Sequence, residues 1–251
     1  MINRRSKFII ISLIVINLLC TGFVATASSS NKEVSNYKLG LKHFRAGDYQ
    51  SAVPKLAAAI SENPDLMYPH YILGLTYYRL DKYKFAETQL KKAHEIKPEH
   101  YRVMVNLGRV YLKQDKIDQA IEITKQAIET NQKIDDAYNV LGRAYRKAEK
   151  IKEAIDSFKK AVELNDENYY VLNNLGYTYI QTNQYKEAIS VLKQAVALNP
   201  GIPYLYNNLG FAYENVDELK KAKKAYEEAL AVDSTYQKAE VNLERVKRLL
   251  K

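Results

Sequence analysis

The sequence predicts an all-α protein assembled from repeated helix–turn–helix units, and three observations carry that prediction. A 34-residue period runs without insertion or deletion through six consecutive units: 33–66, 67–100, 101–134, 135–168, 169–202 and 203–236. A Leu-Gly pair and two alanines return at fixed places in every unit, and each half of the period carries apolar residues at helical spacing. Composition agrees: there is no Trp, with only 9 Gly and 6 Pro in 251 residues, against an abundance of helix-favouring Ala, Leu, Lys and Glu.

The first element reads as an export signal. Arg4, Arg5 and Lys7 precede the apolar run FIIISLIVINLL at 8–19, and Ala25-Thr26-Ala27 supplies a small-x-small site ahead of SSSN. That order of basic, apolar and small residues marks a secretory signal. Cleavage after Ala27 would remove 1–27 and leave a short linker, 28–32. The other reading is an uncleaved anchor over 8–27, about as long as a bilayer requires, whose basic flank holds the N-terminus inside. Both readings place the repeats outside the cytoplasm, either periplasmic or secreted, or held at the membrane by this segment. The one cysteine, Cys20, falls within it, and Asn17-Leu18-Leu19 before it lacks the small residue of a lipid-attachment site. The repeats therefore carry no disulfide. Removing three positive charges lowers the net charge from +9 to +6, which serves solubility and does not imply a nucleic-acid partner.

The repeats come next. With the places of the period numbered 1 to 34 from Glu33, place 7 is Leu39, Leu73, Leu107, Leu141, Leu175 and Leu209. Place 8 is Gly40, Gly74, Gly108, Gly142, Gly176 and Gly210. Alanine fills place 20 (Ala52, Ala86, Ala120, Ala154, Ala188, Ala222) and place 27 (Ala59, Ala93, Ala127, Ala161, Ala195, Ala229). Places 4, 7, 8 and 11 form one stripe on a first helix, and 20, 24, 27 and 28 form one on a second. A mid-helix glycine costs about 0.5–1 kcal/mol against alanine, so six at one place imply a shared benefit: close approach of the two helices. Pro54 sits inside the second helix of the first unit, where it removes a backbone hydrogen bond and should bend the helix slightly.

Two end features complete the chain. Ser30 and Glu33 form a capping-box pattern that starts a helix just after the linker. At the other end, 237–251 places Ala239, Leu243, Val246 and Leu250 on one face with charge elsewhere, as a capping helix does.

The Leu-Gly pair, the later Tyr, the two alanines and the prolines Pro64, Pro98 and Pro200 together resemble the tetratricopeptide repeat (TPR) at family spacing. The resemblance implies a right-handed α-solenoid of six units, with first helices lining a concave groove that receives protein partners. Asn36 at place 4 and Thr124 at place 24 depart from the pattern and suggest looser ends in units 1 and 3. The Lys/Asn then Lys/Arg arrangement of TPR domains that clamp chaperone tails does not occur in any three consecutive units.

No catalytic constellation is visible. There is no phosphate loop, no Gly-x-Ser-x-Gly and no His-Glu-x-x-His, and a catalytic site needs convergent groups. His43 and His70 fall at packing places, and His94 and His100 are not on one helical face, so no metal pair is expected. The sequence calls for no cofactor.

The informative residues lie opposite the packing stripe, at places 2, 6, 9 and 13 with 5 and 12 flanking. In units 1–2 this face is apolar, including Leu41 and Leu75. In units 3–4 it turns basic, with Arg102, Arg109, Arg143 and Arg146 beside Asn106 and Asn139. In units 5–6 it combines amides with aromatics: Asn173, Asn174 and Tyr177, then Asn207, Asn208 and Phe211. A solvated face would be uniformly polar, whereas apolar groups beside arginines suit protein binding. The expected function is a non-catalytic scaffold or adaptor that binds an extended partner segment. A structural subunit of a cell-envelope assembly machine, of pilus or outer-membrane biogenesis type, is the second reading. A basic groove for polyanions or membrane surfaces is the third.

Overall fold

The computed structural model describes residues 36–251, and every described residue up to Leu249 lies in a helix or in a link between helices. The expected signal 1–27, the linker 28–32 and the Ser30–Glu33 capping box lie outside the described residues. The chain divides into two compact units, one ending at Pro98 and one spanning Glu99–Lys251.

In the first unit, α1 (36–45) and α2 (Tyr49–Glu62) form one hairpin, and α3 (Met67–Arg79) and α4 (Tyr83–Ile96) the next. Pro54 is accommodated within a continuous α2, whose Asp48 cap accepts from the Ser51 N–H. Its core gathers Ala52, Leu56, Ile72 and Leu73.

In the second unit the hairpins are α5 (Tyr101–Lys113) with α6 (Ile117–Thr130), and α7 (Asp135–Lys147) with α8 (Ile151–Leu164). They are followed by α9 (Tyr169–Gln181) with α10 (Tyr185–Leu198), and α11 (Pro203–Glu214) with α12 (Leu219–Val232). The last helix, α13 (Gln237–Leu249), packs on α11 and α12. The first helices of this unit begin at Tyr101, Asp135, Tyr169 and Pro203, and α13 begins one further period on. The fold class is the all-α one the period predicts.

Each first helix ends the same way. A residue with positive φ follows it: Asp115 (60°), Glu149 (60°), Asn183 (58°) and Asp217 (60°) in the second unit. The next N–H then reaches back to a tyrosine carbonyl: Lys116 to Tyr111 and Lys150 to Tyr145 at 2.9 Å, Gln184 to Tyr179 at 2.8 Å, and Glu218 to Tyr213 at 3.0 Å. This left-handed cap satisfies helix-end carbonyls and turns the chain. Asp and Asn tolerate such a backbone well among non-glycine residues, which suits Asp115, Asn183 and Asp217 to this position.

The glycine and alanine columns make the hairpins close-packed. All twelve column alanines are fully buried. A Cβ on Gly142 would stand 2.7 Å from Cε1 of Phe158, and one on Gly210 would stand 2.7 Å from Cε1 of Tyr226. The large residue at place 24 thus rests on the bare glycine backbone. At Gly108 the neighbour is Thr124, whose buried hydroxyl has no hydrogen-bond partner among the described residues. In α13, Ala239, Leu243 and Val246 are buried as expected, but Leu250 is 39% exposed, because the helix ends one residue before it.

Candidate functional site

In the second unit the first helices touch in succession, α5 with α7, α7 with α9, α9 with α11, and α11 with α13. The asparagines of places 5 and 6 meet at these contacts. Asn174 donates Nδ2 to Oδ1 of Asn139 at 2.9 Å, and Asn208 donates to Asn173 at 3.0 Å. Asn242 of α13 donates to Asn207 at 2.9 Å. Each pair is 35 residues apart, so place 5 of one unit accepts from place 6 of the next. The amides therefore sit between helices rather than standing free in a groove: Asn207 is only 7% exposed and the other four site asparagines of these pairs are half-buried. Each rung leaves the NH₂ group of the earlier asparagine and the amide oxygen of the later one without a side-chain partner among the described residues. At the equivalent places of α5 and α7 stand Val105 and Val140, both buried.

The basic residues divide into engaged and unengaged groups. Arg109 donates to the Asn106 amide oxygen at 2.9 Å and pairs with Asp136, while Asn106 donates to the Arg102 carbonyl at 2.7 Å. Arg102 folds over its neighbour Tyr101, with Nε 3.2 Å from the hydroxyl. Lys147 pairs with Asp115 at 2.7 Å. Arg146 lies with its guanidinium carbon 5.1 Å from the ring centre of Tyr177 on α9, a cation–π geometry. Burial pushes the Arg146 guanidinium below its ordinary pKa, a shift opposed by Tyr177 and reinforced by Arg143. Arg143 and Arg146, with Leu112, Lys113 and Lys147, line a cavity of about 300 Å³.

The apolar candidates fare differently in the two units. Tyr177 is 42% exposed with one face given to Arg146, and Phe211 is half-buried. In the first unit, Leu41 and Leu75 lean on the core around Leu56 and Ile72, so packing takes up much of their surface.

Two polar partners escape a helical-wheel reading. Asp136 was assignable to the same face as Arg109, but the pairing requires knowing which helices abut. The second is Glu214, which receives two hydrogen bonds from Arg245 of α13 and one from Tyr226 of α12; a place-12 carboxylate following aromatic, aliphatic and arginine residues in earlier units was the available signal.

His70 is buried and held by Gln89 at 2.7 Å and the Pro64 carbonyl at 2.9 Å. His43 is less enclosed, and its ring contacts Asp48 at 3.1 Å. Among the described residues, no three His, Cys, Asp or Glu side chains gather to hold a metal ion, and no helix is long and apolar enough to cross a membrane.

A family model for the tetratricopeptide repeat protein 21 C-terminal ARM domain matches residues 23–208, and the tetratricopeptide repeat model matches 203–236. No curated protein sequence matches. Among solved structures, Cut9 with Hcn1 from the APC/C hetero-tetramer superposes with a TM-score of 0.76 at 18% identity, over 92% of this chain and 45% of that one. PilF of Pseudomonas aeruginosa gives 0.73 at 15% identity, over 85% and 97%. YrrB, a TPR protein with an unusual peptide-binding site, gives 0.58 at 21% identity, over 73% and 95%. At these identities the likeness is one of fold.

Proposed function

This chain belongs to the family of the tetratricopeptide repeat protein 21 C-terminal ARM domain, a tetratricopeptide repeat protein, and from that premise we propose that it is a non-catalytic interaction scaffold. It binds an extended segment of a protein partner along the first-helix face of its second unit. The observation that carries this reading is Tyr177: a large aromatic 42% exposed on a first helix, its ring braced by Arg146, with half-used amide rungs on either side. A rigid aromatic with polar neighbours is the usual composition of a binding hot spot. The peptide-binding site of YrrB supports the same use of the fold. The basic, apolar and small residues of 1–27 support a place outside the cytoplasm.

Site-specific photocrosslinking tests the proposal. A photoreactive residue at Tyr177 should capture a partner, and one at Lys193 on the exposed side of α10 should not. Capture from Lys193 alone would instead favour a structural subunit embedded in a larger assembly. Tyr177→Ala with Phe211→Ala should weaken the captured complex by about 2 kcal/mol or more without lowering the melting temperature. N-terminal sequencing of the native protein should return Ser28; intact chain in the cytosolic fraction would defeat the export reading.

A further inference from the structure

The chemistry of the bound segment can be narrowed further at the ends of α5 and α7. Arg143 and Arg146 stand about one turn apart on α7 and border the cavity of about 300 Å³. Neither guanidinium donates a hydrogen bond to any described residue, although both residues are half-buried. A guanidinium offers five N–H donors in a planar fork. Two such forks side by side, partly desolvated and without an acceptor, repel one another and leave donors unmatched. Arg146 nonetheless has a neighbour that favours its charge, the Tyr177 ring 5.1 Å from its guanidinium carbon. Such an arrangement is preorganised for an anion.

The neighbouring cations argue against a polyanion. Arg109 is answered by Asp136, and Lys147 by Asp115 and by the Leu112 carbonyl at 3.4 Å. Lys113 also lines the cavity, but Asp136 and Asp115 interrupt the positive charge beside it, and a chain of phosphates would meet both. The surroundings instead suit a peptide. Asn139, Arg143 and Arg146 follow one stripe of α7, so a backbone amide at the unused half of the Asn139–Asn174 rung lies about one helical turn from the arginines.

The geometry points to a single-carboxylate site: Arg143 and Arg146 together receive one carboxylate, from an acidic side chain of the docked segment. This rests on the reading of the face as a docking surface, so the test separates the two. Guanidinium Nε–H resonances of the full chain are followed during titration with sodium acetate, with sodium chloride as the ionic-strength control. Those of Arg143 and Arg146 should shift and saturate, while Arg109 stays in place. In parallel, fluorescence anisotropy compares labelled hexaglutamate and hexaglutamine peptides. The acidic peptide should bind at least about tenfold more tightly, as one good bidentate charge-assisted contact allows. Arg143→Gln and the Arg143→Gln/Arg146→Gln double should reduce that preference to within about twofold, the affinity cost of losing the contact, at unchanged melting temperature; Arg109→Gln should keep it.

Equal binding of the two peptides, with no acetate response, overturns the carboxylate site while leaving a docking face. An acetate response at both arginines without peptide binding upholds the site and removes the docked segment. Tighter binding of inorganic phosphate, heparin or phosphatidylglycerol vesicles through the same two arginines would overturn the assignment in favour of a phosphate or polyanion.

Discussion

Arg245 grips Glu214 at two points, Nε to Oε1 at 2.7 Å and Nη2 to Oε2 at 2.8 Å, while the buried Tyr226 hydroxyl donates to Oε2 at 2.9 Å. The three side chains come from α13, α11 and α12, so the last helix is tied to both members of the hairpin beneath it. The Glu214 side chain is 13% exposed. Glu214→Gln keeps the shape but removes the charge, and should cost about 1.5–3 kcal/mol, the range for hydrogen bonds to charged groups. Hydrogen exchange should accelerate in α12 and α13 and stay unchanged in α5 and α6, since units couple only to neighbours. Uniform acceleration would show that the contact supports the whole unit.

The same triad predicts a pH window. Burial raises the Glu214 carboxyl, but hydrogen bonds from Arg245 and Tyr226 and the Arg245 charge outweigh it, leaving it below its ordinary value of 4.5. A depressed carboxyl adds stability above its unfolded value, which is lost as pH falls through the folded one. Tyr226 is shifted the other way, raised above its ordinary 10.0 by burial, by its bond to Glu214 and by that charge. Its contribution is complete below pH 10 and declines as pH rises beyond it. Protection of α13 against exchange, taken relative to the intrinsic rate at each pH, should therefore be greatest between these limits, and Tyr226→Phe should remove the alkaline limb while leaving the acidic one.

A double-mutant cycle at one amide rung should distinguish polar pairing from packing. Asn139→Val or Asn174→Val alone strands a half-buried amide and should cost about 1–3 kcal/mol. Changing both reproduces the apolar pair at Val105 and Val140, and should recover most of the loss, giving a coupling of about 1–2 kcal/mol in urea denaturation. Additive losses would mean that the rung is incidental to the helix contact.

Thr124 presents the converse case, a fully buried hydroxyl with no partner among the described residues. Thr124→Val retains the shape and removes the unmatched polar atom, so it should stabilise the protein by about 1 kcal/mol or more. A lower melting temperature for this variant would show that the hydroxyl is satisfied in solution.

Much of the fold was legible because the packing is local and periodic. Gly142 and Ala154 return at fixed places, and their meaning needs only helical spacing: Gly142 seats Phe158, and Ala154 is fully buried. The face was less legible, for a physical reason. A helical wheel shows which way Asn174 or Arg109 points but not what the adjoining helix presents, so the offset between Asn139 and Asn174 and the pairing of Arg109 with Asp136 were hidden. Place 6 also proved closer to the packing seam than the wheel suggests, as the complete burial of Val140 shows. The Glu214–Arg245 contact was hidden for a further reason, since its basic member lies beyond the six repeats.

The neighbour-only contacts of the second unit bear on how it forms in time. No helix there touches another more than two elements away along the chain, so no distant segment has to be awaited before a hairpin can close. Topologies of this kind fold quickly because little loop-closure entropy precedes each favourable contact. A chain delivered from one end, as at a translocation pore, can therefore assemble in the order of its emergence, each hairpin serving as the template for the next. Chains shortened after Val232 or Leu198 should accordingly retain the circular-dichroism helicity of the hairpins they keep, and collapse of the whole signal would rule out such vectorial assembly.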